Sequence, residues 1–344
     1  MCFLIQFEYV ALAVGSVEWK SFCYDLFPSV PKRTQRYFTT GSLPRRKTTD
    51  AMVSDILKLA PDLGEEMARS ALQSMGSWKD VIGGYKAGWG DSFPKSFGYA
   101  EEVILQIENA QLDAFSAKAK GDARWVDQFR KSGLPSEVMP EHYLENLARF
   151  VTPKMTNSKE TVIPFESMRV ALVTWLYVIA ALEVSLIHSG LVPSNVGAWV
   201  HRRMPHYRDK ELIGPMRKLF EDLMGRLGIN SLTEFAERLP SLTLPQKDKD
   251  RQNQRRQIAR WMSGEALPSW EYIRVVRDKF PGVDDGIFVM YGVARFLQVL
   301  LKDCQSYIPT AFSDEAELVD IFQEYPILQE CHSKGFAEWS EARG

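Results

Sequence analysis

The chain has 344 residues, of which 45% are apolar and 25% are charged. This composition is typical of folded soluble proteins and excludes disorder, collagen-like repeats and low-complexity function for most of the length. The net charge is only -2, from 42 Lys and Arg against 44 Asp and Glu, which excludes a polycation that binds nucleic acid by bulk charge alone. Any nucleic-acid surface must be local.

The N-terminal segment and the cysteines indicate the compartment. Residues 1–16 are apolar but lack the basic region of a signal peptide, contain Glu8 and are too short to span a bilayer. The cysteines show no paired spacing, which indicates neither a disulfide framework nor a zinc site. These four residues are Cys2, Cys23, Cys304 and Cys331. We therefore expect a cytoplasmic protein that does not contact a membrane.

Apolar residues recur at helical spacing along most of the chain, and strand-like alternation is almost absent. Examples in chain order are Met52 and Ile56, Ile104 and Ile107, Leu144 and Leu147, and Leu219 and Leu223. The most apolar run, 170–182, is shorter than a membrane span and predicts a core helix. The sequence therefore predicts an all-α, multi-helical protein.

The middle of the chain contains few candidate catalytic or metal-binding residues. The glycine-rich segment 83–90 follows no predicted strand and contains no Gly-Lys-Ser or Gly-Lys-Thr of a phosphate-binding loop. His201 and His206 are separated by Pro205, which does not favour a metal site. We find no catalytic motif, metal site or cofactor site. Four basic residues here suggest either a phosphate-contacting surface or, preferably, a solvated loop: Arg202, Arg203, Arg208 and Lys210.

Two arginine-rich stretches, 32–44 and 255–268, share one pattern. Each contains a basic pair, an aromatic residue five positions later, a glycine three further on and then Leu-Pro. Such a pattern predicts a short helix that is anchored by its aromatic residue and ends at a left-handed glycine cap, before a helix that opens with proline.

Helical geometry separates the two sides of these stretches. Ile258 and Trp261 are expected on one side of the later helix, with Arg256 and Arg260 on the other. In the earlier stretch Val30, Thr34 and Phe38 are expected inside and Lys32, Arg33 and Arg36 outside. An arginine-bearing helix face suits a DNA major groove, because Arg bonds guanine edges or neutralises phosphates.

The residues before the later stretch predict two further helices. One spans 216–227 and is closed by Gly228. The other begins at a capping box, Ser231 to Glu234, and carries Ala236 where a following helix can approach closely.

Together these residues resemble the phage-repressor (Cro-like, XRE-type) helix-turn-helix proteins. The matching positions are Phe235, Ala236, Leu239, Arg260, Trp261, Gly264 and Pro268. The resemblance covers 215–283 and, more weakly, 16–60. The interval from Leu239 to Trp261 is longer than in the family, so 240–253 is either an inserted charged loop or part of a lengthened recognition helix. In the weaker copy, Gln35 stands where Ile258 stands in the other.

The resemblance implies two helix-turn-helix-like modules that flank a helical middle domain. We divide the chain into 1–75, the N-terminal module, and 76–211, the middle region. The second module, 212–283 with the insertion 240–253, is followed by C-terminal helices over 284–344.

The predicted function is sequence-specific binding of double-stranded DNA, in transcriptional regulation or in a phage or mobile element. The candidate DNA contacts are Lys32, Arg33, Arg36, Tyr37, Arg251, Gln254, Arg255, Arg256, Gln257 and Arg260. A homo-oligomer or a protein partner could form through the middle domain. The alternatives are a helical protein-interaction scaffold that keeps the helix-turn-helix shape without binding DNA, and an enzyme without a recognisable motif.

Overall fold

The computed structural model describes residues 29–30, 46–59, 65, 82, 94–139, 165–190, 199–239, 248–283, 286–306, 308 and 311–343. This part of the chain is mostly helical, as the sequence predicts. It divides into two compact units. The first holds the described residues up to 190 and those from 328 onward, and the second holds those from 199 to 327.

The first unit is built around one buried helix. Its helices are α1 (Arg46–Leu59), α2 (Phe97–Ala119), α3 (Trp125–Arg130), α4 (Phe165–His188) and most of α11 (Tyr325–Glu341). Among the described helices, α4 alone is long and apolar enough to cross a membrane, yet 83% of its apolar window is buried inside the protein. This burial agrees with the predicted core helix.

The second unit opens with a 3-10 helix and a two-stranded antiparallel hairpin, in which Tyr207 pairs with Leu212. Its elements are the 3-10 helix His201–Arg203, β1 (His206–Arg208), β2 (Glu211–Ile213), α5 (Pro215–Arg226), α6 (Leu232–Arg238), α7 (Asp248–Met262), α8 (Trp270–Lys279), α9 (Gly286–Gln305) and α10 (Glu315–Gln323). The hairpin was not predicted from the sequence.

Ion pairs attach this hairpin and the 3-10 helix before it to α5. Arg208 pairs with Glu221 at 2.6 Å, and Arg203 is 2% exposed and pairs with Asp222 at 2.6 Å. Both interpretations of the basic run, a phosphate-contacting surface and the preferred solvated loop, are therefore wrong for Arg203, because its guanidinium is buried against a carboxylate.

Helices α5 to α9 share one hydrophobic core. Phe220 of α5, Phe235 of α6 and Ile258 of α7 meet there, together with Tyr291 of α9. Because α9 supplies part of the same core, the boundary predicted between 283 and 284 falls inside the second unit.

The ends of these helices follow the sequence signals. Ser231 Oγ accepts a hydrogen bond from Glu234 N at 3.1 Å, which confirms the predicted capping box. Gly228 and Gly264 have φ values of +63° and +70°, as expected of left-handed caps. Pro268 lies just before α8 rather than inside it, because Ser269 is the N-cap and accepts from Tyr272 N at 3.1 Å.

Candidate nucleic-acid interface

Helix α7 is anchored to the second unit by one narrow stripe. Ile258 is fully buried and Trp261 is 4% exposed. The Trp261 ring lies parallel to Phe220 at a centroid distance of 6.2 Å and contacts Tyr272 at 4.6 Å. The inward positions predicted for Ile258 and Trp261 are confirmed.

The helix is longer than a repressor recognition helix because it begins at Asp248. No glycine or proline stands between Pro245 and Gly264, and Gln, Lys, Arg and Ala favour the helix. The interpretation of 240–253 as a charged loop is therefore wrong from Asp248 onward, and the alternative of a lengthened helix holds there. Arg251 lies within α7, and its side chain is outside the described residues, as are residues 240–247.

The face of α7 opposite the core is basic. Arg256, Ala259 and Arg260 are exposed, which confirms the outward positions predicted for the two arginines. Gln257 is half-buried at the side of the helix. A helix face with this arrangement can meet the phosphates and base edges of a duplex without disturbing the packing of Ile258 and Trp261.

Two carboxylates stand beside this face. Arg255 pairs with Glu237 of α6 at 2.9 Å, and Arg260 pairs with Glu265, just after α7, at 2.8 Å. All four side chains are well exposed. Among the described residues, none forms an ion pair with Arg256.

Gln254 does not belong to the exposed set, which corrects its prediction as a DNA contact. It is 6% exposed, and its Nε2 donates to the carbonyl of Leu239 at 3.3 Å. Gln254 lies four residues before Ile258 and seven before Trp261, so it shares their face of the helix. Its role is to hold α7 against the end of α6.

The sequence alone did not reveal the residue that supports both α5 and the end of α7. Gln298 of α9 is 3% exposed, and its Oε1 accepts a hydrogen bond from Met216 N at 3.3 Å. A Cβ added at Gly214 or Gly264 would overlap the Gln298 side chain. In the sequence, Gly214 and Gly264 are therefore the signal that we can name for the packing of Gln298 against these two positions.

The connection from α7 to α8 is fixed by α9. The carbonyl of Pro268 accepts hydrogen bonds from the Tyr291 hydroxyl and, at 3.0 Å, from Arg295 Nη1. Both donors are buried. Because these groups replace water at the carbonyl, the connection between α7 and α8 has a defined position in the core.

The N-terminal copy lies outside the described residues at Lys32, Arg33, Arg36 and Tyr37, so its role in DNA binding stays a prediction. Two residues before it are described. Val30 is buried, as predicted, and Ser29 donates to the Asp55 carboxylate of α1 through its backbone nitrogen at 2.8 Å.

The two histidines of the middle region do not form a metal site with other described residues, where no group of three or more His, Cys, Asp or Glu side chains could hold an ion. Burial and the nearby Lys218 lower the pKa of both His201 and His206. Burial and Arg203 also lower the pKa of Lys218 to about 8, and its Nζ donates to the Met204 carbonyl at 2.5 Å. Lys218 therefore supports the fold of the hairpin segment.

No family model, curated protein or solved structure matches this chain. The candidate interface therefore depends on the geometry of α7 and on the resemblance of its residues to the repressor pattern.

Proposed function

We propose that the protein binds double-stranded DNA sequence-specifically and that α7 enters the major groove. The observation that carries this proposal is the two-sided character of α7, with Ile258 and Trp261 in the core and Arg256 and Arg260 exposed on the other side. A major groove about 12 Å wide admits one α-helix.

The local charge supports this proposal. Residues 247–260 contain six basic and two acidic residues, whereas the whole chain has a net charge of -2. A duplex therefore meets a local cationic helix rather than a uniformly basic surface. The hydrogen bond of Gln254 to Leu239, the fixed Pro268 carbonyl after α7 and the packing of Gln298 against Gly264 limit the freedom of α7 before binding, which lowers the entropic cost of association.

The resemblance to phage repressors extends the proposal to transcriptional regulation or to a mobile element. In this proposal the protein is cytoplasmic, and the stretch 32–44 supplies a second recognition helix. Two such helices in one chain would read half-sites about one DNA turn apart, as dimeric repressors do.

The test is selection from a random duplex pool at low salt, followed by affinity measurements on the selected site. We expect the combined substitution Arg256→Ala and Arg260→Ala to weaken binding at least tenfold, since each lost contact costs about 1–3 kcal/mol. The matched control is Arg124→Ala with Arg130→Ala, two exposed arginines of the first unit, each of which pairs with an aspartate.

The control variant should bind as the wild type does. Failure of the wild-type protein to retain any duplex at low salt would contradict the proposal, as would equal affinities of the wild type and the α7 variant.

A further inference from the structure

We infer that Glu237 and Glu265 are specificity-determining residues of this interface: they hold Arg255 and Arg260 in ion pairs and leave Arg256 to read a guanine. This inference rests on the proposed function. It assigns a role in DNA recognition to two acidic residues, although their charge repels DNA. It also assigns different roles to the three arginines.

Helical geometry places Arg256 at the middle of the exposed face. Successive residues are about 100° apart around the axis, so Arg256 lies roughly 170° from the centre of the buried stripe. By the same measure Arg260 lies roughly 130° away on one side and Arg255 roughly 90° away on the other. Arg256 therefore projects furthest from the core, with the paired arginines to its left and right.

Small side chains surround this central arginine. Ala259 lies one turn after Arg256 on the same face, and Ser263 follows the helix one turn later. Neither side chain is long enough to keep the helix axis away from the floor of a groove. Arg bonds the O6 and N7 atoms of guanine in a bidentate arrangement, so the expected ligand is a duplex with a guanine in its major groove.

The carboxylates come from both sides of α7. Glu237 lies at the end of α6 and Glu265 in the turn after α7, and each contacts the nearer flanking arginine at less than 3 Å. Since neither carboxylate pairs with Arg256 in the described structure, DNA meets this central charge without competition from Glu237 or Glu265.

The ion pairs of Arg255 and Arg260 mainly lower the affinity for non-specific DNA. Any duplex offers phosphates, and to reach them Arg255 and Arg260 must leave partners whose negative charges then stand close to the phosphates. Exposed ion pairs are weak, so each reduces phosphate binding by about two- to fivefold. A correct site adds the guanine contact of Arg256, which the carboxylates do not oppose. The acidic residues thereby increase the ratio of specific to non-specific affinity.

The test compares the full-length variants Glu237→Gln and Glu265→Gln on the selected duplex and on a duplex of unrelated sequence. We expect each to raise the affinity for the unrelated duplex about two- to fivefold and to raise that for the selected duplex less. The slope of log affinity against log salt should steepen by about one for each arginine released. The matched control is Glu330→Gln, which breaks an exposed pair with Lys334 on α11.

A separate experiment tests the role of Arg256. Arg256→Lys keeps the charge but loses the bidentate geometry, so discrimination should fall while affinity for the unrelated duplex stays unchanged. Replacing the contacted guanine by 7-deazaguanine removes the N7 acceptor, so it should weaken wild-type binding and leave an Arg256→Ala variant, which has no donor at this position, unaffected.

The outcomes separate the two hypotheses. A wild-type protein that binds no duplex overturns the proposed function itself. If it does bind DNA, the inference is overturned when neither glutamine variant changes the affinity for unrelated DNA, or when Glu330→Gln raises it equally. Discrimination unchanged by Arg256→Lys also overturns it. Melting temperatures of all variants, expected within a few degrees of the wild type, exclude unfolding as the cause.

Discussion

Helices α4 and α7 use their surfaces in opposite ways. Helix α4 is buried along nearly its whole length and takes even polar groups into the interior, including Thr174, Glu183 and Ser185. Helix α7 buries only Gln254, Ile258 and Trp261 among its described side chains. Because three buried side chains hold α7 in place, the residues on its remaining face are free to serve in binding. Nearly every residue of α4, in contrast, is constrained by packing.

This difference separates stability from function. Changes in and around α4 should alter the free energy of unfolding, and so should changes at the anchors of α7. Changes on the exposed face of α7 should leave the free energy of unfolding within about 0.5 kcal/mol and act on binding.

Removal of the main α7 anchor should give the largest loss. Trp261→Ala deletes a buried indole that packs between Phe220 and Tyr272, and such truncations cost about 3–5 kcal/mol. Urea unfolding followed by circular dichroism measures the change. The exposed Val275→Ala should cost less than about 0.5 kcal/mol. A loss below about 1 kcal/mol for Trp261→Ala would show that α7 is not anchored by this residue.

A titratable group next to α4 should make the first unit sensitive to acid. The ring of His332 packs on Tyr177 of α4 at 4.0 Å, and its Nδ1 shares a hydrogen bond with the Tyr99 hydroxyl at 2.8 Å. Burial lowers the pKa of His332 to about 4 from the usual 6.5. Between pH 6.5 and about 4, His332 is protonated in the unfolded chain but stays neutral in the folded chain. The free energy of unfolding therefore falls as the pH falls.

The expected loss across this window is about 2–4 kcal/mol. It is measured by urea unfolding at several pH values, with His332→Gln as the variant that cannot titrate. The wild-type stability should depend more steeply on pH than that of the variant. Parallel pH profiles would show that His332 is not held neutral.

The end of α7 should tolerate no side chain at Gly264. Gly264→Ala combines a φ of +70° with overlap against Gln298, so we expect a loss of about 1–3 kcal/mol. The matched control is Gly225→Ala in α5, where an added Cβ meets nothing within 4 Å and should stabilise the helix by up to about 1 kcal/mol. Thermal unfolding of both variants measures the two changes in stability. Changes of the same sign at Gly264 and Gly225 would contradict the prediction.

Local patterns predicted much of α6 to α8. The capping box at Ser231, the glycine cap at Gly264 and the two sides of α7 each depend on residues within a few turns of one another. Such signals are present in the sequence because the spacing of residues around a helix fixes their directions.

The remaining features depend on contacts between distant residues or on unusual backbone. Gln298 is more than thirty residues from Gly264, and nothing in its neighbourhood marks it as a support for α7. The hairpin turn has Asp209 and Lys210 at φ values of +51° and +68°. Asp is common at the first of these positions, but Lys210 stands where glycine gives the usual signal. Gln254 adjoins arginines, which suggests an outward position, although its distance from Ile258 and Trp261 puts it inside.

The salt dependence of duplex binding shows whether the exposed face of α7 contacts DNA. The measurement compares the wild-type protein with the combined Arg256→Ala and Arg260→Ala variant on the selected duplex across a range of salt concentrations. We predict that wild-type affinity falls steeply with salt and that the variant has a lower affinity and a slope smaller by about one to two. Slopes and affinities that are the same for both proteins would show that the exposed face of α7 does not contact DNA.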